Sequence, residues 1–117
     1  MEPVGYQSDP ALDAVFSALA DPTRRQILTR LTKGQATVGE IAEPFDISQP
    51  AISKHLRVLE QAGLIRRDTK GQTRPASLHA APMQDALTWL QDFRAHWDDR
   101  LDTLDALLND LQQKDSP

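Results

Sequence analysis

Apolar and polar residues alternate along most of this chain with the period of an amphipathic α-helix. Segments 11–20 and 23–32 each repeat apolar side chains every three or four residues. Asp9 and Asp21 precede these segments, and each is followed by a proline, so each aspartate is placed to cap a helix whose first position is proline. The pattern predicts two short helices, the second ending at Gly34.

A helix-turn-helix is predicted over residues 37–62. Thr37 and Glu40 have the spacing of a capping box, which starts a helix that Pro44 then ends. Ser48 is placed to cap the next helix, which continues to the end of the range. Two helices joined by so few residues are typical of this motif.

The periodicity then changes to that of strands. Residues 64–69 and 73–78 predict a hairpin, in which Pro75 weakens the second strand or places it at an edge. Pro82 opens a long last helix that reaches about residue 113. Its apolar residues have heptad spacing, which predicts a seam that needs a partner; the seam consists of Trp97, Leu101, Leu104, Leu108 and Leu111.

The order of these elements predicts a mainly α fold with a small β-hairpin. A hairpin directly after the second helix of a helix-turn-helix is the wing of a winged helix-turn-helix. The seam on the last helix, extended by Leu12 and Phe16 of the first helix, indicates a dimer. A length of 117 residues suits a single domain.

The net charge of −4 conceals a basic middle section. Residues 21–79 contain ten lysines and arginines against six acids, whereas the rest of the chain contains three against eleven. A basic section between acidic ends allows one surface to face phosphates. Chance clustering on solvated helix faces gives the same count, so charge alone leaves both interpretations open.

The second helix of the motif carries a polar row suited to reading bases. Gln49, Ser53 and Arg57 are successive i, i+4 neighbours. Glutamine pairs with adenine and arginine with guanine in the major groove. Lys54 lies on the same side. His55 lies beside the buried stripe, where it is either half-buried and bonded to backbone or in contact with a phosphate.

Basic residues in the hairpin are placed to contact the DNA backbone or minor groove, although an ordinary soluble hairpin has similar charges. They are Arg66, Arg67, Lys70 and Arg74. Two further arginines, Arg24 and Arg25, either reach a phosphate or pair with acids such as Asp21.

The composition argues against several other classes of protein. There is no cysteine, no apolar run long enough to span a membrane and no signal-like N-terminus, so a cytoplasmic protein is expected. The three histidines are scattered and no glycine-rich phosphate loop is present, which argues against an enzyme and predicts no cofactor.

Two runs of sequence resemble one family closely. Residues 16–28 read FSALADPTRRQIL and residues 47–64 read ISQPAISKHLRVLEQAGL. Both are similar to the ArsR/SmtB family of bacterial transcriptional repressors, and the likeness covers roughly residues 11–112. The resemblance implies a homodimer formed by the first and last helices, an inverted-repeat operator and, often, release by an effector.

The chain departs from the metal-sensing members of that family. Where many carry a Cys-x-Cys pair, residues 36–41 have no thiol. Where others bind zinc on the last helix, this chain has one histidine, His96, beside Asp92 and Asp99. Gln72 stands where many members have a wing arginine. The resemblance is therefore to a metal-independent branch, with no effector indicated.

These observations divide the chain into functional segments. They are a flexible N-terminus (1–8), dimerisation helices (9–20 and 82–113), the helix-turn-helix (37–62) and the wing (64–79). The predicted function is that of a transcriptional repressor that binds double-stranded DNA as a homodimer. The alternative is a protein-interaction module that docks an acidic partner; the amide in the row at Gln49 favours DNA. An RNA partner is disfavoured because the A-form major groove is too narrow for a helix.

Overall fold

The computed structural model describes residues 9–115, so the flexible N-terminus predicted for residues 1–8 lies outside it. The chain forms two compact units, of which the first ends at Ala86 and the second begins at Leu87. The elements are α1 (Pro10–Leu19), α2 (Pro22–Leu31), α3 (Val38–Ala42), α4 (Gln49–Gln61), β1 (Ile65–Arg67), β2 (Ala76–Leu78) and α5 (Ala81–Asp115). Their order and type confirm the predicted fold class.

The helix starts follow the predicted caps. The carboxylate of Asp9 accepts a hydrogen bond from the Leu12 amide at 3.1 Å, and Ser48 Oγ accepts one from the Ala51 amide at 3.3 Å. At α3 the capping box is complete, because the carboxylate of Glu40 accepts a hydrogen bond from the amide of Thr37 in return. Each cap satisfies an amide that a helix start otherwise leaves unpaired.

Stripes from four helices and the hairpin form the core of the first unit. α4 contributes Ile52, Leu56 and Leu59, none of which is measurably exposed. α2 contributes a second buried stripe, and α1 a smaller one. Leu64 and Ile65 extend the core from the end of α4 into the hairpin. These apolar faces fix the outward direction of the polar face of α4.

The two strands of the wing are shorter than predicted. β1 and β2 pair antiparallel, with Ile65 opposite Leu78 and Arg67 opposite Ala76. Pro75 has no amide to donate, so regular pairing stops beside it. Further out, Lys70 and Thr73 exchange two backbone hydrogen bonds around a turn that begins at Gly71. Gly71 has a φ of 61°, which a side chain would strain.

A backbone bridge that the sequence analysis did not predict holds the wing to the helix-turn-helix. Ala36, just before α3, exchanges two hydrogen bonds with Ala76 of β2, at 3.0 and 2.8 Å. Both alanines are buried. The base of the hairpin is therefore anchored by a third extended segment, although its turn extends beyond that anchor.

The second unit consists of most of the long helix α5, which begins one residue before Pro82 and continues to Asp115. Large apolar side chains from Leu87 to Leu111 remain about half exposed along it. Trp89, Phe93 and Trp97 stack in sequence, with ring centroids 5.5 and 6.4 Å apart. Among the described residues, no helix has both the length and the apolar character needed to cross a bilayer.

Candidate nucleic-acid interface

The polar face of α4 presents the residues that the sequence analysis singled out for base contacts. Opposite the buried stripe, Gln49, Lys54 and Arg57 are exposed and Ser53 is half-buried. In the described part of the chain, none of these four side chains forms a hydrogen bond or ion pair with the protein. Their polar groups are therefore available to an external partner, and the four residues span about two and a half turns of one helix.

His55 differs from these neighbours because the protein itself engages it. Its Nδ1 lies 3.4 Å from Nη1 of Arg24, which has no acceptor of its own and must donate. The proton of the neutral ring is then on Nε2. His55 is half-buried. It joins α4 to α2 while retaining one donor for another partner.

Arg24 and Arg25 satisfy the end of α1, a role that neither sequence-based interpretation anticipated. Nε and Nη2 of Arg24 donate to the carbonyls of Ala18 and Ser17 at 2.7 and 3.1 Å. Nη1 of Arg25 donates to the carbonyl of Leu19 at 2.8 Å. The last turn of α1 has no basic residue of its own, so these two arginines supply the donors that its carbonyls need.

Asp21 completes this junction from the start of α2. The hydrogen bond from the Arg24 amide lowers the pKa of the Asp21 carboxyl, against an opposing desolvation. The hydrogen bond from the Thr23 amide and the electrostatic interactions with His55 and Arg24 lower this pKa further. The carboxylate is held ionised where α1, α2 and α4 meet.

The wing arginines are oriented by contacts within the first unit. Nη2 of Arg66 lies 3.3 Å from Nε2 of His79, and Nδ1 of that ring lies 3.0 Å from the carbonyl of Gly63. Arg67 donates twice to the carbonyl of Arg74 across the hairpin, at 3.3 and 3.1 Å. These guanidiniums keep their charge while losing part of their conformational freedom.

Two further contacts tie wing bases to neighbouring elements. Nη2 of Arg74 lies 3.8 Å from the carboxylate of Glu60 on α4. Nζ of Lys70 donates to Oε1 of Gln35 at 3.0 Å. No local motif in the sequence marks Glu60 or Gln35 as a partner of the wing, and Gln35 lies 35 residues from Lys70 in sequence.

The long helix carries a second candidate surface, its apolar face. The seam residues predicted from the heptad are all between 42% and 57% exposed. The structure adds residues that the heptad count omitted, namely Leu87, Trp89, Leu90, Phe93 and Leu107. The other two predicted interface residues, Leu12 and Phe16, are partly buried against the core of the first unit.

The side chains around His96 bear on the expectation that α5 holds no zinc site. Nε2 of His96 accepts a hydrogen bond from Nε of Arg100 at 3.3 Å, so a guanidinium occupies that ring nitrogen. Within residues 9–115, no group of three or more potential ligands lies close enough to hold a metal ion.

Comparison with known proteins gives one consistent result. A helix-turn-helix domain family matches residues 19–68. The transcriptional repressor SdpR of Bacillus subtilis is 46% identical over 82 residues, which are 70% of this chain and 91% of SdpR. A crystal structure of an ArsR family transcriptional regulator matches with a TM-score of 0.72 and 40% identity, over 79% of this chain and 95% of that one. An ArsR-like transcriptional regulator from Rhodococcus sp. RHA1 matches with a TM-score of 0.68 and 31% identity, over 83% of this chain and 92% of its own.

Proposed function

The chain belongs to the ArsR/SmtB family of winged helix-turn-helix transcriptional regulators, and on that basis we propose that it is a metal-independent repressor that binds an inverted-repeat operator as a homodimer. The relative SdpR is named a transcriptional repressor. This role requires the protein to be where the DNA is. In the bacteria from which its relatives come, that place is the cytoplasm.

The observation that carries the proposal is the contrast between α4 and the wing. The exposed side of α4 presents Gln49, Ser53 and Arg57 without an internal partner, whereas the described wing bases are already oriented by the protein. An amide, a hydroxyl and a guanidinium in one row can read base edges in the major groove. Lys54 and His55 lie where they can hold the adjacent phosphates.

The wing supplies affinity in this proposal. Arg66, Arg67, Lys70 and Arg74 keep four positive charges at the hairpin, and each charge that meets a phosphate releases a counterion. Because their side chains are held by internal contacts, binding costs less side-chain entropy than it does for free arginines.

The apolar face of α5 supports the homodimer. Ten large apolar side chains on α5 are about half exposed. Together they expose an apolar area on the order of 800 Å², which is about the area that each partner buries in a standard interface. The face extends over the 25 residues from Leu87 to Leu111, roughly 36 Å of helix. A second copy presents the same face, so the two faces cover each other. Leu12 and Phe16 of α1 stay a separate prediction for the dimer.

Metal independence rests on the donor groups. The segment at α3 has no thiol, and the α5 histidine is bonded to Arg100. Zinc sites need about four nitrogen, sulfur or oxygen ligands in tetrahedral geometry, and a neighbouring guanidinium repels the cation. Neither position therefore offers the donor set of a metal site, which supports the proposed metal independence.

The test is a fluorescence-anisotropy titration with DNA from upstream of the protein's own gene, and with a scrambled duplex of equal composition. We expect one homodimer per inverted repeat, with half-sites about 10 base pairs apart, and much weaker binding to the scrambled duplex. Equal binding to both duplexes at every salt concentration would contradict the proposal. A partner protein with an acidic surface would then become the better hypothesis.

A further inference from the structure

A cavity of about 300 Å³ lies within the first unit, between α2, the end of β2 and the first turn of α5. Leu28 and Leu64 in its wall belong to the buried core, whereas Leu78 is 42% exposed. The remaining lining residues are Thr29, Thr32, His79, Ala80 and Met83. None of these residues belongs to the polar row of α4 or to the apolar face of α5.

The polar groups of the cavity determine the class of molecule that it suits. The hydroxyl of Thr29 donates to the carbonyl of Arg25 at 3.0 Å, and that of Thr32 donates to the carbonyl of Thr29 at 2.6 Å. Each hydroxyl therefore offers only lone pairs to a ligand. No lysine, arginine, aspartate or glutamate lines the cavity. A charged ligand would lose its hydration there without compensation.

One lining residue connects the cavity with the DNA-facing surface. The backbone N–H of His79 donates to the carbonyl of Leu64 at 2.9 Å. Its ring lies between the carbonyl of Gly63 and the guanidinium of Arg66. Because the guanidinium donates to Nε2, Nδ1 carries the proton and donates to Gly63. The ring thus contacts both a wing arginine and Gly63, the glycine that follows the C-cap of α4.

The junction at Gly63 leaves little space for rearrangement. Its φ is 78°, and a Cβ there would lie 3.1 Å from Cγ of Pro82. The backbone between α4 and β1 is consequently packed against the start of α5. A molecule that moves the His79 ring acts on a tight contact, and the side chain of Arg66 that this ring holds is exposed.

We propose that this cavity binds a small, neutral, mainly apolar molecule with one hydrogen-bond donor, and that its occupancy weakens DNA binding by displacing His79 from Arg66. The volume lies at the lower end of the range for small-molecule sites, which are mostly apolar with a few polar groups. The binding step stands on the cavity alone, whereas the effect on DNA rests on the proposed function.

The binding step is tested with N-phenyl-1-naphthylamine, a neutral fluorescent amine with one N–H whose emission rises in apolar surroundings. We expect saturable binding of one probe per chain to the DNA-free protein. Ala80→Phe fills the cavity and should weaken binding at least tenfold, whereas Ala81→Phe, on the adjacent exposed residue, should not.

A Leu104→Asp variant shows whether the probe instead binds the apolar face of α5. Binding that survives Ala80→Phe, or that is lost only in Leu104→Asp, would overturn the assignment of the cavity. Failure of the probe to bind the wild-type protein would overturn it as well.

The effect on DNA is measured by titrating operator DNA with and without saturating probe. We expect DNA affinity to fall at least about fivefold in the wild type and to be unchanged in Ala80→Phe. By linkage, saturating DNA should lower the affinity of the protein for the probe by the same factor. An unchanged DNA affinity would overturn the coupling through His79. A protein that binds no DNA would contradict the proposed function, while the DNA-free probe titration would still decide the cavity.

Discussion

The guanidinium of Arg24 lies 3.4 Å from Nδ1 of His55, so that a side chain of α2 contacts the helix proposed to read DNA. The same guanidinium donates to the carbonyls of Ala18 and Ser17 at the end of α1. Three helices therefore meet at one side chain. The orientation of α4 depends on a residue that lies outside the helix-turn-helix itself.

The first prediction concerns this junction. Arg24→Lys keeps the charge but cannot reproduce three donations from a planar fork. We expect the free energy of unfolding to fall by about 1–2 kcal/mol, measured by urea denaturation. Arg25→Lys is the matched control, because Arg25 makes one such bond, and it should cost less. Equal losses in the two variants would show that the contact with His55 and the second carbonyl contribute nothing.

The second prediction separates specificity from affinity in DNA binding. Replacing Arg57 or Gln49 by alanine should cost about 1–3 kcal/mol per half-site on the operator and relax the preference at one base position. Arg67→Ala and Lys70→Ala should instead weaken every sequence alike and lower the salt slope by roughly one unit per lost phosphate contact.

The measurement is anisotropy on operator and scrambled DNA at several salt concentrations. Circular dichroism of each variant provides the control for folding, which matters for Lys70 because its ammonium bonds Gln35. If the Arg57 and Arg67 variants lose affinity equally on both duplexes, α4 is not the reading helix.

The third prediction concerns assembly. Leu104→Asp places a carboxylate in the middle of the apolar face of α5 and should raise the dimer dissociation constant by roughly 100-fold or more, because two unpaired charges would be buried. Ala106→Asp, two residues further on the other side of the helix, adds the same charge and should have little effect. Sedimentation velocity reports both. A wild-type protein that sediments as a monomer at micromolar concentration would refute the proposed interface.

The fourth prediction concerns metals. Equimolar zinc, cadmium or arsenite should neither bind tightly nor release the protein from its operator, because the chain has no thiol and the His96 ring is bonded to Arg100. Isothermal titration calorimetry measures metal binding, and fluorescence anisotropy measures release from the operator. Stoichiometric zinc binding that is lost in His96→Ala and that dissociates the DNA complex would contradict it.

The fifth prediction follows from the lowered pKa of Asp21. The folded pKa lies below the ordinary value of 3.8, so its contribution to stability is complete above that pH and disappears as the pH falls through the folded pKa. Asp21→Asn retains a capping side chain but not the charge. The variant should therefore unfold at lower urea concentration than the wild type at pH 7, and this difference should shrink below about pH 3.8.

Asp68→Asn, on the exposed hairpin loop, removes one carboxylate without altering a cap. It controls for the change in net charge in the same pair of titrations. A difference between wild type and Asp21→Asn that stays constant from pH 7 to pH 3 would show that the charge of Asp21 does not contribute.

The order of the helices could be predicted from the sequence, because the interactions that start and stop these helices are local. Asp9 and Ser48 cap amides only three residues away, and Thr37 and Glu40 satisfy each other within one turn. Such contacts form whatever the rest of the chain does. The polar row of α4 was readable for the same reason, since a buried stripe with helical spacing fixes the opposite face.

The contacts that hold those elements together could be seen only in the folded chain. The bridge from Ala36 to Ala76 and the bond from Lys70 to Gln35 join residues that are distant in sequence, and no local preference selects such partners. The contacts of Arg24 with α1 also required the end of one helix to lie beside the start of the next. Long-range pairs form only where packing brings two segments together, so the cavity beside His79, whose lining comes from three elements, left no pattern in the sequence.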